Sequence, residues 1–264
     1  MLLSVLLSPL VGAAAGLSAG MFGVGGGLVI VPALVLCFAA LGVAPEIIMP
    51  LALGTSLTTI VVTSISSVHA HHAMGNVDWL VWRRLSPGIV VGVVVGVQTA
   101  ASLPAGIMKT AFGLFALIIA AQMAFQLQPA GKRNLPGRTG LSLAGTIIGF
   151  FSALFGIGGG SLTVPFLSFC EVRMQQAVAT AAACGLPIAV AGMLSNIAVG
   201  FSVQSLPKFS TGFVYWPAVL GIVIASVPCA RMGARLAQRL PPLVLKRCFA
   251  GFLCVIGIFF SLGA

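Results

Sequence analysis

The sequence predicts an all-α integral membrane protein built from two inverted repeats of about five hydrophobic segments each, with glycine-rich broken helices. Three observations lead to this prediction. First, 59% of the residues are hydrophobic and only 6% are charged, whereas a soluble domain carries about 25% charged residues. Second, apolar runs of about 17–25 residues, long enough to cross a bilayer, recur along the chain. Third, motifs of the first half return in the second, which indicates a duplication.

The internal repeat is visible in two blocks. GVGGGLVIVP at 23–32 returns as GIGGGSLTVP at 156–165, which is 133 positions later. A second block returns after 137 positions, with the pairs Gly75/Gly212, Trp79/Trp216, Pro104/Pro241, Lys109/Lys246 and Phe112/Phe249. The change of offset requires only that loop lengths differ between the halves. We expect a single membrane transporter domain with repeat one over 1–129, a linker over 130–138 and repeat two over 139–264.

Each half is expected to contain five apolar segments. They lie near 2–22, 27–43, 48–70, 80–102 and 107–126, and near 139–155, 160–171, 175–200, 213–230 and 243–262. The first two segments of a half either cross the membrane or form a re-entrant hairpin, which gives 8–10 transmembrane or re-entrant helices in all. Either arrangement has an odd number of crossings per half, so the second half is inverted. Residues 1–20 resemble a signal peptide but lack its basic start, and we expect them in the mature fold.

The net charge of +10 comes from basic residues that cluster in short loops. Alternating the segments across the membrane places eleven of the 13 Lys and Arg on one side: Arg83, Arg84, Lys132, Arg133, Arg138, Arg173, Arg231, Arg235, Arg239, Lys246 and Arg247. Only Lys109 and Lys208 lie on the other side. The basic side is expected to be cytoplasmic, in a multi-pass protein of the cell (inner) membrane with both termini outside. The same pattern argues against nucleic acid as a partner.

Two runs of three glycines interrupt apolar segments and are the main candidate for a binding site. The runs are Gly25, Gly26 and Gly27, and Gly158, Gly159 and Gly160. Glycine disfavours helix by about 1 kcal/mol per residue, and non-helical backbone at membrane depth lines a cavity or is buried in protein. A helix that restarts after each run presents free N–H groups and a partial positive charge, which suits an anion. Close helix packing through small residues is the alternative.

The distribution of ionisable residues also favours an anionic substrate. Glu46, Asp78 and Glu171 fall at segment ends or in loops, so no carboxylate is predicted inside a span, where cation and proton carriers usually have one. The histidines at 69, 71 and 72 form a local cluster. Because adjacent residues point in different directions on a helix, we expect a cytoplasmic loop or gate there and no metal site. No cofactor is predicted.

Uncharged polar residues complete the predicted substrate site. Thr55 and Ser56 in the third segment of repeat one, with Thr180 and Asn196 in that of repeat two, can replace part of an oxyanion's hydration shell. Such hydroxyls also commonly bond their own helix backbone, which is the alternative. Cys37 and Cys170 follow the glycine runs by about ten residues and are added as substrate-lining candidates, with core packing as the alternative.

The chain resembles the sulfite exporter TauE/SafE family of membrane permeases. The resemblance rests on GVGGGLVIVPAL at 23–34, GIGGGSLTVPFL at 156–167, ALGTSL at 52–57 and a GxxxW element at 75–79. It implies transport of sulfite, small organosulfonates or related sulfur-containing anions. Where the second half of that family often reads ATS, residues 179–181 of this chain read ATA, so the substrate preference stays open.

The predicted function is therefore a membrane transporter that exports a small sulfur-containing anion, driven by the membrane potential. The expected partners are the anion and the lipid bilayer, and the oligomeric state is left open. A passive anion channel is the nearest alternative, because sequence hardly separates a channel from a carrier. A membrane enzyme is a weaker alternative, since only the three histidines near a loop offer acid or base chemistry.

Overall fold

The computed structural model describes residues 9, 12–17, 26–125, 135–237 and 242–262, and it is almost entirely helical there. The helices are α1 (Gly27–Ala40), α2 (Pro45–Ala73), α3 (Trp79–Ser102), α4 (Ala105–Ala124), α5 (Arg138–Leu154), α6 (Gly160–Phe169), α7 (Met174–Gly200), α8 (Trp216–Ala237) and α9 (Pro242–Leu262). Residues 12–17 are also helical. Each helix coincides with a predicted apolar segment, and the all-α membrane class is confirmed.

A small β-hairpin before α8 departs from the predicted segments. Strands β1 (Ser210–Thr211) and β2 (Val214–Tyr215) pair antiparallel, so the segment predicted from 213 becomes helical only at Trp216. The turn between them uses Gly212 at φ 54°, and Gly75 has φ 67° before α3. Both glycines of the repeated GxxxW element thus adopt the left-handed conformation, which is costly for other residues. Of the predicted linker, residues 130–134 lie outside the described residues.

Helix lengths separate two structural roles. Within the described residues, α2, α3, α4 and α7 are long and apolar enough to cross a membrane. By contrast, α1 has 14 residues and α6 has 10, which correspond to about 21 and 15 Å of helix. A bilayer's hydrocarbon core is about 30 Å thick, so neither short helix can span it alone. Both match the segments predicted to be broken by glycine.

The two halves are inverted, because equivalent helices pair antiparallel. On α2 and α7, Gly54 lies against Asn196 while Ser64 lies against Gly185, so the numbers rise on one helix as they fall on the other. Helices α4 and α9 are antiparallel in the same way, since Gly113 lies against Ser261 while Leu117 lies against Gly257. Repeats related by an axis along the membrane normal would pair in parallel. The predicted inverted arrangement is therefore confirmed.

The fourth segment of each repeat packs on the first segment of the other repeat. On α3, Gly88 and Gly96 lie directly against the α5 backbone at Ser142 and Phe150. The second copy of this contact places Gly12 against Ile222 of α8, and Gly16 lies against Ser226 one turn further along. Small residues permit such close helix approach in a membrane, where packing drives association. The repeats are therefore interleaved and do not form two separate bodies.

Two apolar clusters form the core and meet along α2. The first combines the N-terminal half of α2, up to Leu53, with α1, α4 and α9. The second starts at Leu57 and combines the rest of α2 with α3, α5 and α7. Thr55 and Ser56 are fully buried between these clusters. The structure thus places a polar layer at the junction of two apolar bundles.

Candidate functional site

Each short helix begins at a glycine run, as predicted. The N-cap of α1 is Gly26 and that of α6 is Gly159, and neither N-terminus has a side-chain cap. An uncapped helix start leaves backbone N–H groups available and carries a partial positive charge. Gly25 lies outside the described residues. Chemically, these two helix starts suit an anion.

The two glycine motifs meet in the interior. A Cβ on Gly27 would lie 2.6 Å from the oxygen of Gly156 and 2.8 Å from Cα of Ile157, so the start of α1 packs on the turn before α6. The hydroxyl of Ser56 donates to the carbonyl of Gly156 over 2.8 Å. Ile157 is fully buried. Ser56 and both glycine motifs, which are far apart in sequence, therefore share one contact region.

The second glycine run has one open and one packed position. The atom nearest to a Cβ on Gly158 would be Cγ2 of Ile60, at 3.6 Å. A Cβ on Gly159 would lie 2.8 Å from the oxygen of Ala181 and 3.0 Å from the nitrogen of Gly185 on α7. Gly159 therefore serves helix packing, the alternative considered for the whole run. Gly158 has no such packing requirement.

Thr55 and Thr180 make equivalent hydrogen bonds between the repeats. The hydroxyl of Thr55 accepts from the backbone N–H of Tyr215 over 3.1 Å, and that of Thr180 accepts from the backbone N–H of Asp78 over 3.0 Å. Asp78 and Tyr215 are separated by the 137 positions of the second repeat block. Both threonines are fully buried. Each can still donate its hydroxyl proton, so bonding the backbone does not remove it from a binding site.

Asn196 lies beside this region and forms hydrogen bonds with backbone groups. Its side-chain amide donates to the carbonyl of Gly192 over 2.8 Å, and its backbone carbonyl accepts from the N–H of Phe213 over 3.1 Å. A Cβ on Gly54 would lie 3.0 Å from Cβ of Asn196. Asn196 therefore contacts the α2 segment that carries Thr55.

Cys37 and Cys170 are not brought to the glycine ends. Cys37 lies near the end of α1, and Cys170 caps the end of α6. Ten residues of helix rise correspond to about 15 Å, which is more than a small anion can bridge. The two cysteines are also not equivalent, since one is inside its helix and the other terminates its helix.

The acidic residues and the histidines lie near helix ends, outside the buried core. Glu46 and Glu171 are exposed and Asp78 is half-buried, where it caps α3 by accepting from the N–H groups of Leu80 and Val81. The ring of His72, near the end of α2, packs edge-to-face against the ring of Trp79 at the start of α3. Among the described residues, no group of three potential metal ligands is found, and the buried polar side chains there are those of Ser, Thr and Asn.

Sequence reasoning missed four hydroxyls whose oxygens are buried without a hydrogen-bond partner among the residues that the structure describes: those of Ser152, Thr163, Ser210 and Ser261. Of these residues, Ser152 and Thr163 are fully buried. A signal was available in the repeat itself. LVIVP at 28–32 becomes SLTVP at 161–165, so the second glycine helix gains hydroxyls where the first is aliphatic.

Known proteins match this chain over nearly its full length. The family model described as sulfite exporter TauE/SafE matches residues 9–260. A probable membrane transporter protein of Haemophilus influenzae is 39% identical over 256 residues, which cover 96% of this chain and 97% of that protein. A probable membrane transporter protein of Methanocaldococcus jannaschii is 27% identical over 270 residues, covering 98% and 97%. No solved structure matches the chain.

The inverted repeats, the glycine-broken helices and these relatives define a membrane transporter, and not an enzyme. Its polar interior and its family indicate a small-molecule substrate. The chain belongs to the TauE/SafE sulfite exporter family. The membership confirms the resemblance found in the glycine motifs.

Proposed function

We propose that this transporter exports sulfite, an organosulfonate or a related small sulfur-containing anion across the cell membrane. The anion binds near the midplane, at the starts of α1 and α6, with Thr55, Ser56 and Thr180 nearby. The observation that carries the proposal is the contact between Gly27 and the Gly156–Ile157 turn. It brings two uncapped helix starts together, and each contributes positive potential without a charged side chain.

The position of the acids supports an anionic cargo. All three acids of the chain are described, and none is in the buried core. An anion held by N–H groups and hydroxyls therefore meets no buried carboxylate that would repel it. The same arrangement offers no carboxylate for carrying a proton or a sodium ion.

Export of an anion needs no coupling ion when the membrane potential is negative inside. A membrane potential of 100 mV, negative inside, favours the exit of each negative charge by about 2.3 kcal/mol. A divalent anion gains about 4.6 kcal/mol, which corresponds to a roughly 2000-fold concentration gradient. The potential alone is therefore a sufficient driving force.

The test is efflux from proteoliposomes whose potential is clamped with valinomycin and potassium. Vesicles are loaded in turn with sulfite, sulfoacetate, taurine or sulfate, and protein-free vesicles are the control. We expect saturable efflux of sulfite or sulfoacetate that rises with an inside-negative potential. Efflux that ignores the potential and follows an imposed pH or sodium gradient would contradict the mechanism. Flux that does not saturate would favour a channel.

A further inference from the structure

Thr163 carries a buried hydroxyl that the protein leaves unused. It lies in the first turn of α6, a helix of 10 residues, with an exposed fraction of 0%. Its hydroxyl oxygen has no hydrogen-bond partner within the described part of the chain. A threonine in a helix commonly donates to the carbonyl four residues before it, yet here the Gly159 carbonyl accepts the backbone N–H of Thr163 and not its hydroxyl. A buried hydroxyl without a partner is unfavourable unless water or a ligand supplies one.

Thr163 lies near the glycine end of its helix, one turn after the N-cap. Side chains tilt toward the helix N-terminus, and residues four apart lie above one another. Thr163 therefore lies over Gly159, the uncapped N-cap of α6. The free N–H groups of the helix start and an unpaired hydroxyl donor thus lie at the same end of α6.

The two repeats differ at this place. Thr163 stands 133 positions after Ile30, and Ala181 is the counterpart of Ser56. The hydroxyls are therefore distributed differently: repeat one has Ser56 on its third segment where repeat two has Ala181, and repeat two has Thr163 on its glycine helix where repeat one has Ile30. In repeat one the hydroxyl of Ser56 is occupied by the Gly156 carbonyl. In repeat two the hydroxyl of Thr163 has no such partner.

We infer that Thr163 donates a hydrogen bond to a sulfur-bound oxygen of the transported anion and so places the anion at the second glycine motif. The two motifs are then unequal: the second adds a side-chain donor to its backbone N–H groups, and the first, which has Ile30 in place of Thr163, offers its backbone N–H groups alone. An oxyanion with exposed acceptor oxygens, such as sulfite or a sulfonate headgroup, fits this donor set. The inference rests on the proposed function.

The test compares Thr163→Val, Thr163→Ser and Thr58→Val in purified protein. Valine keeps the shape of threonine without the hydroxyl, and serine keeps the hydroxyl. Thr58 is the matched control, because it is a buried threonine whose hydroxyl donates to the Gly54 carbonyl of its own helix. Dissociation constants for sulfite and sulfoacetate are measured by calorimetry, and melting temperatures are measured with and without each anion.

We expect Thr163→Val to weaken anion binding about tenfold, equivalent to about 1.4 kcal/mol. Its melting temperature without ligand should stay equal or rise, because an unpaired buried hydroxyl has been removed. Thr163→Ser should restore most of the affinity, and Thr58→Val should keep it. If Thr163→Val binds as tightly as the unmodified protein, the assignment of Thr163 is wrong while the proposed function stands. If the unmodified protein binds neither anion, the proposed substrate class fails as well.

Discussion

The equivalent hydrogen bonds of Thr55 and Thr180 predict a specific loss of stability. Each hydroxyl accepts a backbone N–H from a turn of the other repeat, at 3.1 and 3.0 Å. Replacing either threonine with valine keeps the side-chain volume but removes the acceptor. The N–H of Tyr215 or of Asp78 then loses that partner.

The expected magnitude follows from the net contribution of one hydrogen bond. That contribution is about 0.5–1.5 kcal/mol. For a chain of this size, each kcal/mol lowers the melting temperature by about 2–4 °C. Thr55→Val and Thr180→Val should therefore each lower it by about 1–6 °C. The two bonds share no partner, so the losses should add in the double variant.

The assay is thermal unfolding of the purified protein in detergent, with anion binding measured in parallel. Thr55→Ser and Thr180→Ser should lose less stability, since serine retains the acceptor oxygen. Thr58→Val is the control and should change the unfolding free energy less, because the Gly54 carbonyl that loses the hydroxyl still accepts the N–H four residues later in its own helix. If the valine variants melt like the unmodified protein but bind the anion weakly, the hydroxyls serve the ligand and not the turns. That result would refute the structural role assigned to them.

Two further predictions concern the glycine run and the topology. Gly159→Ala should destabilise the protein by about 1–3 kcal/mol through overpacking against Ala181. Gly158→Ala should change the stability by no more than about 0.5 kcal/mol, because the nearest neighbour of the added methyl group is 3.6 Å away. Equal melting temperatures of the two variants would contradict this packing. A reporter fused after Ala264 should be active only in its periplasmic form, because the charge bias predicts that the basic loops face the cytoplasm. Cytoplasmic activity of that reporter would reverse the orientation drawn from the charge bias.

The contact pattern agrees with the sorting of the basic loops to one end of the molecule. Trp82 donates to the carbonyl of Ala183 over 3.0 Å, which joins the start of α3 to α7. Gly88 packs on Ser142, which joins the start of α3 to that of α5. Gly96 packs on Phe150 in the same way, so α3 and α5 run in parallel and Arg138 lies at the same end as Arg83 and Arg84. The reporter fused after Ala264 measures which side of the membrane this end faces.

The sequence alone determined the membrane class, the helical segments, the duplication and its inversion. These properties depend on local hydrophobicity and on counting segments between repeated motifs. The glycine runs also predicted where α1 and α6 begin, because three consecutive glycines interrupt a helix regardless of its surroundings. The hairpin before Trp216 escaped prediction, since its two short strands resemble the start of an apolar segment.

Only the tertiary structure decided which polar groups are already occupied. Ser56, Thr180 and Thr163 look alike in the sequence, yet the partner of Ser56 is 100 positions away and that of Thr180 is 102 positions away. The hydroxyl of Thr163 has no partner in the described part of the chain. Likewise, the shared offset of 133 positions predicted equivalent places for Cys37 and Cys170. In the structure, Cys37 lies inside α1, whereas Cys170 caps the end of α6. The physical reason is that hydrogen bonding and burial depend on which helices approach each other, and residues distant in the chain make those contacts.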